Sequence, residues 1–223
     1  MEEQPTPKTS NDPEHVRLHD QRLNRVADIL KSHSVSRVLD IGCGEGKLIK
    51  RLVRDPQFTE IAGIDPSLRS IQKARDLLFL ENAGEAKNDR IELKLGSLTY
   101  ADRRLRGFDA ATLVEVIEHV DSDRLASLER SLFGDARPAV IIITTPNADY
   151  NKLFPSLTAG EYRHSDHRFE WTREQFGNWC TATATEFGYR VTTEALGPED
   201  DTHGGPSQLA TFVIDVEAES SGI

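Results

Sequence analysis

The segment from Arg37 to Asp65 restricts the fold of this chain more than any other. Arg37-Val38-Leu39-Asp40-Ile41 is a short apolar run with strand character, and it feeds directly into Gly42-Cys43-Gly44-Glu45-Gly46. Leu48, Ile49, Leu52 and Val53 then recur at helical spacing, and Glu60-Ile61-Ala62-Gly63-Ile64-Asp65 makes a second strand. Glycines at such a turn let backbone approach a ligand at the start of a helix. The acid that closes the second strand, Asp65, lies roughly 20 residues further on, at ribose-binding distance. Strand, glycine turn, helix and strand together make a seat for a nucleoside-bearing cofactor.

The same alternation continues along the chain. Apolar residues recur helically from His15 to His33, and a second helix runs from Ser67, its N-cap, to Glu81. Ile91–Leu95 is a third strand ending at Gly96-Ser97-Leu98, Phe108–Val114 a fourth, and Ala139–Thr144 a fifth. A helical pattern spans Ser122 to Phe133 and another Thr172 to Phe187, and strands near Tyr189–Leu196 and Gln208–Asp215 close the chain. Strands and helices at this spacing predict an α/β fold, a mostly parallel sheet covered on both faces. The two consecutive strands at the end predict an antiparallel edge. Residues 15–216 form one domain in this reading, between a disordered tail, 1–14, and a loose one, 217–223.

Composition narrows the function classes. No apolar run approaches the about 20 residues that cross a bilayer, and no signal-like start is present, so a membrane partner is not expected. Cys43 and Cys180 lie far apart in sequence, which argues against a disulfide framework and for a reducing cytoplasm. With 27 basic and 37 acidic residues the net charge is -10, which disfavours broad coating of a nucleic-acid backbone. It leaves room for local grip on one strand end, where Arg103, Arg104, Arg106, Arg163 and Arg168 are the available cations.

Two stretches carry candidate chemistry beyond the cofactor. Glu115-Val116-Ile117-Glu118-His119 follows strand four, and on a helical turn Glu115, Glu118 and His119 would share one face. Two carboxylates and an imidazole on one face make a metal site, although a solvated first turn has the same sequence. The segment Thr145–Trp171 is long for a connection and too rich in aromatic residues for a linker. It starts at the carboxyl edge of the sheet, where open α/β sheets bind ligands, and its His167, beside Asp166, is a further ligand candidate.

The glycine spacing is Gly-x-Gly-x-Gly with Asp40 just before it, which resembles the S-adenosylmethionine site of class I methyltransferases; NAD is the other cofactor this pattern admits. In that resemblance Asp40, Gly42 and Gly44 hold the methionine end, Asp65 the ribose, and Ser97 and Leu98 the adenine. Acid-acid-histidine after strand four also occurs in small-molecule O-methyltransferases of the ubiquinone-biosynthesis type, which remains the alternative. Thr145-Pro-Asn-Ala-Asp-Tyr-Asn151 and Asp166-His-Arg-Phe-Glu-Trp-Thr-Arg173, taken with Glu115–His119, resemble the RNA 3′-terminal ribose 2′-O-methyltransferases. Gly96-Ser-Leu-Thr-Tyr-Ala-Asp-Arg-Arg-Leu105 and Gly197-Pro-Glu-Asp200 resemble the bacterial RNA-repair branch of that family.

The resemblance implies methyl transfer from S-adenosylmethionine to the 2′-hydroxyl of the 3′-terminal ribose of RNA. It implies a divalent metal (Mn, Mg or Co) on Glu115, Glu118, His119 and His167, with His119, His167 and Glu118 at the chemistry and His164 near the RNA end. It also implies a place in bacterial RNA repair beside a polynucleotide kinase-phosphatase-ligase, engaged through an additional N-terminal half that this chain lacks. A non-catalytic RNA-binding module fits less well, because both the cofactor residues and the ligand residues are present.

Overall fold

The computed structural model describes residues 13–80, 89–96, 105–155, 157–158 and 160–215. Seven strands form one sheet in the order β3-β2-β1-β4-β5-β7-β6. They are β1 Arg37–Ile41, β2 Glu60–Asp65, β3 Ile91–Leu95, β4 Ala110–Val114, β5 Val140–Pro146, β6 Tyr189–Leu196 and β7 Ser207–Ile214. The first five pair in parallel, with Asp40 beside Gly63 on one side and Thr112 on the other. The antiparallel edge expected from the two terminal strands is a β6–β7 hairpin. β7 inserts antiparallel between β5 and β6, so the outermost strand again runs with the parallel set.

Successive strand residues point to opposite faces, and this divides the core in two. Val38, Ile61, Ala110, Val140 and Ile142 pack with helix α1 (Pro13–Ser32), α2 (Lys47–Leu52) and α3 (Leu68–Leu80). Their neighbours Leu39, Ala62, Ala111, Ile141 and Ile143 pack with Phe133 and with α5 (Arg173–Phe187) through Phe176, Cys180 and Ala184. Thr172 caps α5, its hydroxyl accepting from the Gln175 N–H while the Gln175 side chain accepts from the Thr172 N–H. Ser67 accepts from the Ser70 N–H and starts α3 as its sequence position predicts.

Three elements differ from the sequence reading. The helix expected over Ser122–Phe133 is a 3₁₀ turn, a short α4 (Leu125–Glu129) and a π turn over Arg130–Ala136. The wider turn lets Leu128, Leu132 and Phe133 all enter the core. The helical turn expected at Glu115–His119 does not begin at Glu115. The Glu115 N–H extends the sheet by donating to the Thr144 carbonyl, at a φ of 55°, and only Ile117–His119 turn, as 3₁₀. The long connection after β5 is not irregular throughout: it holds a 3₁₀ turn, Ala148–Leu153, and is closed by a bridge between Asn147 and Trp171. Of the tails expected over 1–14 and 217–223, Pro13 and Glu14 belong to α1, and the rest lie outside the described residues, as do residue 216, Arg103 and Arg104. No helix among the described residues is long and apolar enough to cross a membrane.

Candidate active site

The glycine turn between β1 and α2 lines a cavity of about 160 Å³ together with Asp40, His19, Lys47 and Val114. Gly42 adopts φ 69°, and a Cβ there would lie 2.5 Å from Val116 Cγ2, so glycine is required for both conformation and space. Asp65 ties this turn to β2. One of its carboxylate oxygens accepts from the Gly44 N–H at 2.9 Å and the other from the Ser67 N–H at 2.8 Å. Asp40 is buried beneath the turn and accepts from the Thr112 hydroxyl at 2.8 Å. Burial pushes its carboxyl up to about 7, against the lowering effect of that hydrogen bond. A buried carboxyl of that kind is fully charged only when a cation joins it. Ser97 and Leu98, the expected adenine contacts, lie outside the described residues.

Beyond the carboxyl ends of β4 and β5, Glu118, His119 and His167 bring one ligand atom each within 4.8 Å of one another. Glu118 is fully buried; its Oε2 accepts from Thr145 Oγ1 at 3.0 Å, while Oε1 is buried and has no partner among the described residues. Burial first, and the nearby Glu115 second, raise its pKa well above the carboxylate range. The His167 Nδ1–H donates to Glu170 Oε1 at 2.6 Å and the His119 Nδ1–H to the Asp166 carbonyl at 3.3 Å. In both rings Nε2 is then the nitrogen left to act as a ligand. Burial and the neighbouring His167 lower the His119 pKa, which keeps that ring neutral. A buried carboxylate oxygen without a donor and two imidazoles that present Nε2 fit a divalent cation of mixed nitrogen and oxygen preference.

Glu115 does not join these three atoms. Its Oε2 is 3.0 Å from Nη2 of Arg22 on α1, and its Oε1 accepts from Thr144 Oγ1 at 2.9 Å. Consecutive threonines at the end of β5 therefore serve the two glutamates separately, because a strand presents alternate residues to opposite faces. His164 stands beside the cluster, its ring centroid 6.2 Å from that of His119 and 5.6 Å from that of His167.

The chain also has clear relatives. The family described as "Methyltransferase domain" matches residues 14–194. The small RNA 2′-O-methyltransferase of Mus musculus is 36% identical over 212 residues, covering 87% of this chain and 50% of the mouse protein. The methyltransferase domain of bacterial CtHen1-CN, a crystal structure, superposes with a TM-score of 0.80 at 41% identity, over 88% of this chain and 100% of that one. The chain belongs to the Hen1 small RNA 2′-O-methyltransferase family. It spans about half the length of the curated relatives it matches, such as those of mouse and rat. A chain of the Pnkp1/Rnl/Hen1 RNA repair complex, 22% identical with a TM-score of 0.65 over 88% of this chain and 41% of that one, shares the fold. S-adenosylmethionine is the methyl donor of this family.

The contacts that hold this region together were not legible in the sequence. Arg163, expected as a cation for an RNA end, is half-buried and spent on the protein instead: its guanidinium donates to the carbonyls of Pro206 and Asn147 and, at 2.6 Å, to Asn151 Oδ1. Its N–H donates to Glu170 Oε1 at 2.7 Å, and Asn151 Nδ2 donates to Glu170 Oε2 at 2.6 Å. Burial alone would raise the Glu170 pKa, but the His167, Asn151 and Arg163 hydrogen bonds outweigh it and hold the carboxylate ionised. Burial lowers the Arg163 pKa to about 10, so it stays charged at neutral pH. The available signal was the spacing of Glu170 three residues after His167. Arg168, expected near the RNA end, pairs with Asp121 at 3.3 Å, and Arg106 with Asp135 at 3.5 Å; both arginines are exposed.

Proposed function

We propose that this chain transfers the methyl group of S-adenosylmethionine to the 2′-hydroxyl of the 3′-terminal ribose of RNA, using a divalent cation held by Glu118, His119 and His167. The observation that carries the reading is the buried, unpartnered Glu118 Oε1 set beside two imidazoles whose Nδ1 protons are already committed. A divalent ion there, Mn²⁺ or Co²⁺ at least as well as Mg²⁺, would lower the pKa of a ribose hydroxyl and fix its line of approach to the sulfonium methyl.

The chain's own residues supply the rest. Glu170 keeps the His167 proton on Nδ1, Thr145 orients the Glu118 carboxylate, and Arg163 fixes the segment that carries both Glu170 and His167. Asp40, short of a cation beneath the glycine turn, would hold the cofactor's ammonium, and Asp65 its ribose. Glu115, the fourth ligand that the family resemblance implies, is held by Arg22 and Thr144 and would have to leave one of them to join the cation. A cation on Glu118, His119 and His167 would let the chain favour a ribose with two free hydroxyls, and so a free 3′ end, without reading bases. The wider role in RNA repair beside a kinase-phosphatase-ligase is supported by the Pnkp1/Rnl/Hen1 assembly of a structural neighbour.

The test is transfer of labelled methyl to short RNAs that end in a 2′,3′-diol, a 3′-deoxyribose or a 3′-phosphate, with Mn²⁺, Mg²⁺ or a chelator. Methylation of the diol alone, abolished by chelator, is expected. Full activity in chelator overturns the metal, and modification of the 3′-phosphate RNA overturns terminal recognition. Methyl transfer to a small phenol in place of RNA points instead to a small-molecule O-methyltransferase.

A further inference from the structure

The cofactor pocket has one polar wall that the glycine turn does not supply. His19 on α1 and Lys47, the first residue of α2, both line it. His19 Nε2 is buried and meets no hydrogen-bonding group among the described residues. Buried polar atoms are almost always partnered, so this one points to a partner from outside the chain. The charges that reach His19 are the cations Lys47, Arg22 and Arg51 against the single acid Asp20. With burial as the larger cause, they depress its pKa to about 4 and keep the ring neutral.

A neutral ring in a positive surrounding disfavours a cation and suits an anion. The cavity, about 160 Å³, is smaller than the roughly 300–1,000 Å³ of a whole small-molecule site, so it takes one end of its ligand. S-adenosylmethionine carries a sulfonium, an ammonium and a carboxylate, and the carboxylate is its only anion. We propose that His19 donates from Nε2 to the carboxylate of the cofactor's amino acid, with Lys47 supplying the balancing charge. This rests on the assignment of the pocket to S-adenosylmethionine. It makes α1 a shared wall, since Arg22, one turn beyond His19, holds Glu115 at the neighbouring centre.

Calorimetric titration of the whole chain with S-adenosylhomocysteine and with its decarboxylated analogue, S-adenosyl-3-thiopropylamine, tests the assignment. His19→Ala should weaken S-adenosylhomocysteine about tenfold and leave the analogue within about twofold of wild type. His19→Gln, whose amide reaches a similar position, should restore part of the loss. Lys47 is exposed, so Lys47→Met folds whatever the fate of the α1 variants, and it should show the same selective loss, deepened at low salt. Equal weakening of both ligands, or no loss in Lys47→Met, overturns the proposal. Wild-type protein that binds neither ligand overturns the cofactor assignment, and this inference with it. Wild type that binds while the variants lose nothing overturns this inference alone.

Discussion

The two halves of the site share the carboxyl edge of one sheet but are built by opposite means. The cofactor half is built mainly from one contiguous unit, β1 to β2, with His19 of α1 and Thr112 and Val114 of β4 closing it, and its critical contacts are backbone geometry: the left-handed Gly42 and the Gly44 N–H on Asp65. The histidine half is assembled from four separate segments, namely α1, the turn after β4, the end of β5 and the loop reaching Trp171. Its critical contacts join side chains distant in sequence. Damage to the first half should therefore act through backbone strain and stability, and damage to the second through chemistry at constant fold.

The sharpest break would come at the ligands themselves. His167→Ala or Glu118→Gln should lower methyl transfer to RNA by at least about 100-fold, with S-adenosylhomocysteine affinity unchanged by calorimetry. A parallel loss of cofactor affinity would mean that the halves are not separable. Glu170→Gln keeps every proposed ligand but loosens the His167 ring. Its Mn²⁺ affinity, followed by electron paramagnetic resonance, should fall about 10- to 100-fold. In the cofactor half, Gly42→Ala forces a Cβ against Val116 at an unfavourable φ and should cost about 1–3 kcal/mol, read as a lower melting temperature and denaturant midpoint. A variant as stable as wild type would refute the backbone account.

The mildest effect is one of pH. Because the empty-pocket Asp40 carboxyl is raised to about 7 by burial, an incoming ammonium must displace its proton below that pH. S-adenosylhomocysteine affinity should fall by up to about tenfold per unit as pH drops below 7 and level off above it. Asp40→Asn should flatten this dependence, and a wild-type profile already flat would remove Asp40 from ammonium recognition.

The same contrast explains what could be read from the sequence. The strands, the glycine turn and Asp65 were legible because each is local: apolar alternation sets the strand faces, and glycine marks the positive φ. His167 was a candidate from its place beside Asp166 in a long loop over the carboxyl edge, and the resemblance over the Asp166–Arg173 block assigned it as a ligand, since nothing local separates it from a surface histidine. The expected shared face of Glu115, Glu118 and His119 assumed a regular turn. A sheet hydrogen bond at Glu115 and a 3₁₀ turn after it separate Glu115 from the other two. Arg163 and Arg22 were illegible in their roles, because a buried arginine is defined by acceptors from remote strands and helices, and neither helical nor strand periodicity encodes those.

The hydrogen bonds of Arg163 set an order of assembly. Two of its acceptors, the carbonyls of Asn147 and Pro206, flank the paired ends of β5 and β7, where Pro146 stands opposite Ser207. The segment that carries His167 and Glu170 can therefore settle only after the last strand of the chain has joined the sheet. The cofactor seat is whole once β4 supplies Thr112 to Asp40 and Val114 to the cavity wall, whereas the histidine segment also leans on β7 through Pro206. The C-terminal hairpin is thus a part of the histidine centre without lending it a ligand.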